Sequence, residues 1–254
     1  MRTLILIISI VILILSLYQI GQYLISAQDT KGLYRDMAGI YYEDVANSEA
    51  QEDKENPQSS DDAKSHSDNH GGNSRVDRLR EINPDIIGWI TIPDTKIGYP
   101  VVKGKDNDYY LNHNLLGNID RHGAIFMDYR NDPLEDENII IYGHHMKDGT
   151  MFKDLMRYKK RDFYEDNTSI YLDMGDKVTE YRIFSVYISR ASNVDLALSF
   201  HDKEEYERYF TEVKGKSLHP SDVEFAENSQ MLTLATCTYE EKDARFIVHA
   251  LAVK

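Results

Sequence analysis

Cysteine is nearly absent. Cys237 is the only one in 254 residues, which excludes an intramolecular disulfide and leaves two uses for the thiol, a small buried hydrophobe or a reactive group. Basic residues are in deficit, 29 Lys and Arg against 43 Asp and Glu for a net charge of −14. That balance argues against a nucleic-acid partner, because phosphates call for clustered cations. Tryptophan occurs once, at Trp89, in a run (IIGWITIP) that reads as packing. Only one hydrophobic run is long enough to span a bilayer. Repeats at the periods of solenoids and propellers are missing. The acidic spacing around Asp106 and Asp108 lacks the glycine and closing glutamate of a calcium loop, so no metal site is read.

The chain does contain an apolar N-terminus, MRTLILIISIVILILSLYQIGQYLI, uncharged over residues 4–25. This matches the ~20 residues a helix needs to cross the hydrocarbon core. It exceeds the ~7–15 apolar residues of a signal peptide, the alternative that Ile25-Ser26-Ala27 would otherwise allow. Arg2 and the α-amino group precede it, so the expected topology is a single pass with the N-terminus in the cytoplasm and the rest outside. The expected organisation is a membrane anchor over residues 1–27, a disordered acidic stalk over 28–74 and one globular domain over 75–254. The stalk reading rests on EDVANSEAQEDKENPQSSDDAKSHSDNHGGNS, which has almost no large apolar side chains to offset the entropy of ordering. His66 and His70 lie within it without a cysteine or a structured partner, and read as solvated linker.

From residue 75 the pattern changes. VDRLREIN has helical spacing and stops before Pro84. Eight short runs follow: IIGWITIP, IGYPVVKG, GAIFMDY, ENIIIYGH, SIYLDM, VTEYRIFSVYIS, QMLTLATCTY and ARFIVHALAV. They are rich in β-branched and aromatic residues and are bounded by Gly, Pro, Asp and Asn, which predicts a mainly β domain, a barrel or a sandwich. Two helical interruptions are expected, around residues 151–160 and 202–214, the second ending at Gly215.

Cys237 closes one of these strands in TLATCTYEEKDARFIVHA, and Arg245 opens the next. Should the two strands pair through the EEKD turn, both residues lie at one end of the sheet. A nucleophilic cysteine needs a base or an ion-pair partner. Among nine histidines, those of IIIYGHHMKDGTMF stand out, because His144 and His145 follow directly on an apolar strand and Gly143. A strand end offers a rigid support facing solvent, and only one of two adjacent histidines would face the cysteine. A permanently charged guanidinium beside them suits the orientation of a carbonyl and the stabilisation of an oxyanion. On residue chemistry alone, a hydrolytic cysteine peptidase or amidase fits the trio. A non-catalytic, membrane-tethered binding domain with Cys237 in its core also remains open, as does an Arg245 paired with Asp243 or Glu240.

Taken together, T-L-A-T-C followed by R-F-I-V-H, with an earlier strand ending in Y-G-H-H-M, resembles the sortases. DNDYYLNHN, GAIFMDYRN, GTMFKDL and the helical insert ahead of the cysteine strand resemble class B, over residues 75–254. The resemblance implies an eight-stranded sortase-type β-barrel with flanking helices, preceded by the transmembrane helix. It implies a cysteine transpeptidase with Cys237 as nucleophile, His144 as general acid/base and Arg245 as the substrate-orienting, oxyanion-stabilising residue. By it, a secreted protein's C-terminal sorting signal, of Asn-Pro type, is cut after threonine. The acyl group passes through a thioacyl enzyme to the amine of a peptidoglycan precursor, with neither metal nor cofactor. Tyr142, Ala235 and Thr236 are the expected substrate-binding residues. Ala235 stands where class B often has serine, which bears on substrate preference and rate. No proline-rich or aromatic lid precedes the barrel, against a pilus-polymerising role.

Overall fold

In the computed structural model, residues 2–52, 74–190, 196–237 and 244–253 are described. They divide into two compact units, Met1–Asp36 and Met37–Lys254. The first unit is helical throughout, within α1 (Arg2–Glu52). Its uncharged stretch is apolar and long enough to cross a membrane: at ~1.5 Å rise per residue it covers the ~30 Å hydrocarbon core.

The second unit is built on a closed barrel of strand order β1-β2-β3-β4-β7-β8-β6-β5. Its strands are β1 (Ile86–Thr91), β2 (Gly98–Val102), β3 (Ile125–Met127), β4 (Asn138–Gly143), β5 (Ser169–Asp173), β6 (Val178–Arg190), β7 (Met231–Cys237) and β8 (Ala244–Ala252). Each of the eight apolar runs supplies one strand, and closure of β1 onto β5 leaves no free sheet edge. Most neighbours are antiparallel, whereas β2–β3 and β4–β7 run parallel. The β4–β7 pair brings together two strands about ninety residues apart in sequence, and both of their C-terminal ends point the same way.

The helices cap and cover the barrel. Ser74 caps α2 (Arg75–Ile82) with a capping box: its hydroxyl accepts from the Asp77 amide while Asp77 accepts from the Ser74 amide. A 3₁₀ helix (Phe152–Lys159) follows β4, then α4 (Arg161–Asp166). Asp202 caps α5 (Lys203–Gly215) through the Glu205 amide. The apolar stripe of α5, Tyr206, Phe210 and Val213, buries against Met231, Ala235, Ile247 and Leu251 of β7 and β8 and Phe184 and Tyr187 of β6. A four-residue helix, α3 (Tyr109–Asn112), too short to carry a periodic signal, lies between β2 and β3.

The segment read as a stalk overlaps α1, which runs helical to Glu52. The remainder, residues 53–73 with His66 and His70, lies outside the described residues. Within the second unit, Met37 and Tyr41 are buried. The Tyr41 ring stacks on Trp89 at 4.4 Å with 8° between planes, and its hydroxyl donates to Asp173 Oδ2 at 2.8 Å. Arg78 Nη2 donates to the Ile40 carbonyl at 3.0 Å. Aromatic burial of this kind outweighs the polar composition of the surrounding chain.

Candidate active site

Backbone register brings the three residues of interest to one end of the barrel. On one side of β7, Cys237 pairs with Arg245 of antiparallel β8. On the other side, β4 runs parallel to β7 with Tyr142 opposite Ala235 and Gly143 opposite Thr236. β7 then ends at Cys237, and His144 follows directly on the end of β4. Cysteine thus sits at the centre, with the histidine strand end and the arginine strand start on its two flanks. Glu240 and Asp243, the alternative partners considered for Arg245, lie outside the described residues.

The two adjacent histidines part company. His145 is buried, and its backbone bridges to Met151. His144 is half-buried, and its Nε2 lies 2.8 Å from the carbonyl oxygen of Leu111 at the end of α3. A carbonyl only accepts, so Nε2 carries the proton and donates, which leaves Nδ1 as the ring nitrogen available for proton exchange. The His144 carbonyl in turn accepts from the Phe152 amide at 2.9 Å, tying the segment to the 3₁₀ helix. Close packing explains the glycine before it. A Cβ on Gly143 would lie 2.5 Å from Ile125 Cδ1 and 2.8 Å from Phe152 Cδ2.

Leu111 is held from behind. The Ala124 amide donates to the Tyr110 carbonyl and the Asp120 amide to the Asn112 carbonyl, both at 2.9 Å, leaving the intervening Leu111 carbonyl to His144. Gly123 makes this approach possible. Its φ is +58°, and a Cβ there would stand 2.6 Å from the Tyr110 oxygen and 2.8 Å from the Leu111 oxygen.

The three expected substrate-contacting residues have different surroundings. Ala235 and Thr236 are buried. Tyr142 retains surface, packs on Phe126 at 5.4 Å between ring centroids, and donates its hydroxyl to Asp128 Oδ2 at 3.1 Å. Burial first, and then the Asp128 charge, push the Tyr142 phenol well above its ordinary value, with Arg130 and Arg245 acting the other way. Asp128 is itself buried and forked by Arg130, Nε to Oδ1 at 2.9 Å and Nη2 to Oδ2 at 2.8 Å. Burial opposes its charge, but the bonds from Arg130 prevail and its carboxyl stays below the usual range. The phenol is therefore a neutral, fixed donor at the rim of the site.

Sequence reasoning missed Leu111 and Asp128. A backbone carbonyl has no side-chain signature. Asp128 is the aspartate of GAIFMDYRN, where only pairing of β3 with β4 reveals that it meets Tyr142. Among the described residues, no group of three or more His, Cys, Asp or Glu is disposed to hold a metal ion.

The closed eight-stranded barrel matches solved sortase structures. The sortase domain family matches residues 90–253. Sortase B of Listeria monocytogenes is 40% identical over 164 residues, 64% of this chain and 67% of that protein. The Staphylococcus aureus sortase B–substrate complex superposes with a TM-score of 0.74 at 30% identity, covering 89% of this chain and 97% of that one. Clostridium perfringens sortase B gives a TM-score of 0.68 at 38% identity, covering 70% and 98%. The chain belongs to the sortase family, class B. It is a cysteine transpeptidase, and sortases of this kind act on proteins that carry sorting signals.

Proposed function

We propose that this enzyme, anchored by the apolar part of α1 with its barrel outside the cell, cleaves a C-terminal sorting signal after threonine and transfers the protein to a cell-wall amine. The reading rests above all on the backbone register around Cys237, with Arg245 on one flank and His144 on the other. Cys237 acts as nucleophile: its thiolate attacks the threonine carbonyl, and the guanidinium of Arg245 balances the oxyanion. As the intermediate collapses, the Nδ1 proton of the His144 imidazolium passes to the leaving amide nitrogen. A thioacyl enzyme remains. The incoming amine then attacks the thioester, His144 Nδ1 accepts its proton, and the thiolate departs. The Leu111 carbonyl, by holding Nε2–H, keeps Nδ1 in this role throughout.

Tyr142 is the substrate-contacting residue favoured by exposure, whereas burial leaves Ala235 and Thr236 to shape the strand behind the site. The Asn-Pro type of motif and the peptidoglycan-precursor acceptor follow from the class B resemblance.

The test uses the full-length chain in detergent micelles, Asn-Pro- and Leu-Pro-type peptides containing threonine, and a small amine, with Cys237→Ala in parallel. Mass spectrometry is expected to show cleavage after threonine with amine attached, preferentially for the Asn-Pro peptide, and neither product with the variant. Acid product alone at saturating amine would establish a hydrolase instead. Turnover by Cys237→Ala would sink the assignment of the nucleophile.

A further inference from the structure

Away from the proposed acyl-transfer residues lies a buried ionic cluster with no part in the chemistry above. The side chain of His122 is wholly inaccessible, at 0% exposure, and sits between two aspartates that are themselves almost covered, at 9% for Asp120 and 8% for Asp148. Its Nδ1 is 2.7 Å from Asp120 Oδ1 and its Nε2 is 3.2 Å from Asp148 Oδ2. Both partners are carboxylate acceptors, a setting that favours protons on both ring nitrogens. Asp148 is further fixed through Oδ1, which accepts the Thr150 hydroxyl at 2.6 Å and the Thr150 amide at 3.1 Å. Asp120 Oδ1 also accepts the His122 amide at 2.9 Å. Burial opposes the positive charge, yet the two carboxylates outweigh it and hold the imidazole pKa above its ordinary value.

The two ends of this bridge belong to the two segments that position His144. Asp120 and His122 lie on the turn that holds the Tyr110–Asn112 carbonyls in place, through the Asp120 amide on Asn112 and the Ala124 amide on Tyr110. Asp148 and Thr150 lie on the loop that leaves His144 and returns at Phe152, whose amide meets the His144 carbonyl. The His144 ring joins these segments through the bond of Nε2 to Leu111. A single hydrogen bond is worth about 0.5–1.5 kcal/mol net, too little to hold an imidazole to a fraction of an ångström against loop motion. A second tie, the His122 bridge, a few residues away on both segments, closes a frame around it.

We infer that His122 is a positioning residue: bridged between Asp120 and Asp148, it fixes the Leu111 carbonyl against His144 and so keeps the acid/base in its productive tautomer and orientation. The inference rests on the assignment of His144 as acid/base.

The cluster supplies its own control. In Asp148→Asn, the side-chain oxygen still accepts from Thr150. The new amide can donate to a neutral His122, whose Nδ1–H still serves Asp120, so the bridge survives without the second negative charge. Asp148→Ala removes it, and His122→Gln reaches only one carboxylate. With the full-length chain in detergent and a fluorogenic Asn-Pro-type peptide, His122→Gln and Asp148→Ala should lower kcat by about tenfold or more while KM stays within about twofold, as expected for misplacement of a catalytic group. Asp148→Asn should keep most of the activity. The Nε2–H proton of His144 is expected to be protected from exchange by its bond to Leu111; assigned in NMR spectra by its loss in His144→Ala, its signal should persist in Asp148→Asn and disappear in Asp148→Ala.

A folded His122→Gln with unchanged kcat, or Asp148→Asn as poor as Asp148→Ala, overturns the proposal. Should His122→Gln fail to fold, the Asp148 pair decides. His144→Ala separates the two levels. If it is inactive while His122→Gln turns over normally, only the clamp is refuted. If His144→Ala turns over normally, the acid/base assignment falls and the clamp with it.

Discussion

Replacing Gly123 by alanine perturbs the proposed acid/base without touching it. Two costs arise. Alanine in the left-handed region costs roughly 1–2 kcal/mol, and the φ of Gly123 is +58°. The added Cβ falls 2.6 Å from the Tyr110 oxygen and 2.8 Å from the Leu111 oxygen, short of the 3.0 Å that real Cβ atoms respect. Both obstacles are backbone, so the carbonyls or the turn must move by several tenths of an ångström. The His144 Nε2 contact of 2.8 Å is then stretched or bent, losing up to a further ~1 kcal/mol. A destabilisation of about 2–3 kcal/mol corresponds to roughly 4–12 °C in Tm for a domain of this size.

Stability loss alone says nothing about catalysis, and Gly175→Ala supplies the comparison. Its φ is +102°, and the nearest atoms to its Cβ are side-chain atoms of Ser74, Arg80 and Val76, none of them in the proposed catalytic machinery. Peptide-cleavage kinetics well below either Tm should show kcat reduced about tenfold or more in Gly123→Ala and nearly unchanged in Gly175→Ala. Equal kcat in the two variants, with comparable losses of Tm, would refute the claim that the Leu111 carbonyl sets the working geometry of His144.

Two further outcomes test the scaffold. Tyr41→Ala removes the ring stacked on Trp89 and the bond to Asp173, and should destabilise the barrel unit by about 3 kcal/mol in denaturant unfolding. Tyr41→Phe should cost only about 1 kcal/mol. His249 is fully buried in a directed chain: Tyr187 OH donates to Nε2 at 3.0 Å, Nδ1–H to the Thr233 hydroxyl at 2.8 Å, and that hydroxyl to Asn138 Oδ1 at 2.7 Å. Burial foremost, with the Lys216 charge, lowers its pKa from 6.5 to about 3. The unfolded chain binds this proton first, so the His249 contribution is intact above pH 6.5 and lost as pH falls towards 3, at about 1.4 kcal/mol per unit between the two values. Unfolding free energies measured from pH 7 to 5 should fall less steeply in His249→Gln, and identical slopes would show that His249 does not contribute this dependence.

Much of this enzyme is legible in its sequence because the relevant physics is local. Eight alternating or apolar runs bounded by turn residues become eight strands, since β-branched and aromatic side chains suit a pleated, half-buried surface. The uncharged N-terminal run needs only length and composition to read as a membrane-spanning helix. Cys237, His144 and Arg245 are proposed as the catalytic residues from sequence because a thiol nucleophile needs a base or an ion-pair partner, and all three lie at or beside strand ends.

The neighbours of those residues were decided by tertiary structure. Composition cannot show that residues 28–52 form helix, because Tyr41 is ordered by Trp89, almost fifty residues away. Parallel pairing of β4 with β7, a contact with no local signature, sets His144 beside the cysteine strand and leaves Ala235 and Thr236 without surface. A main-chain carbonyl at Leu111 selects the His144 tautomer, and the His122 bridge between Asp120 and Asp148 exists only because two loops meet. Propensity and periodicity act over a few residues and specify elements. Burial, desolvation and hydrogen-bond direction act between elements, and those forces govern how the proposed acid/base is held.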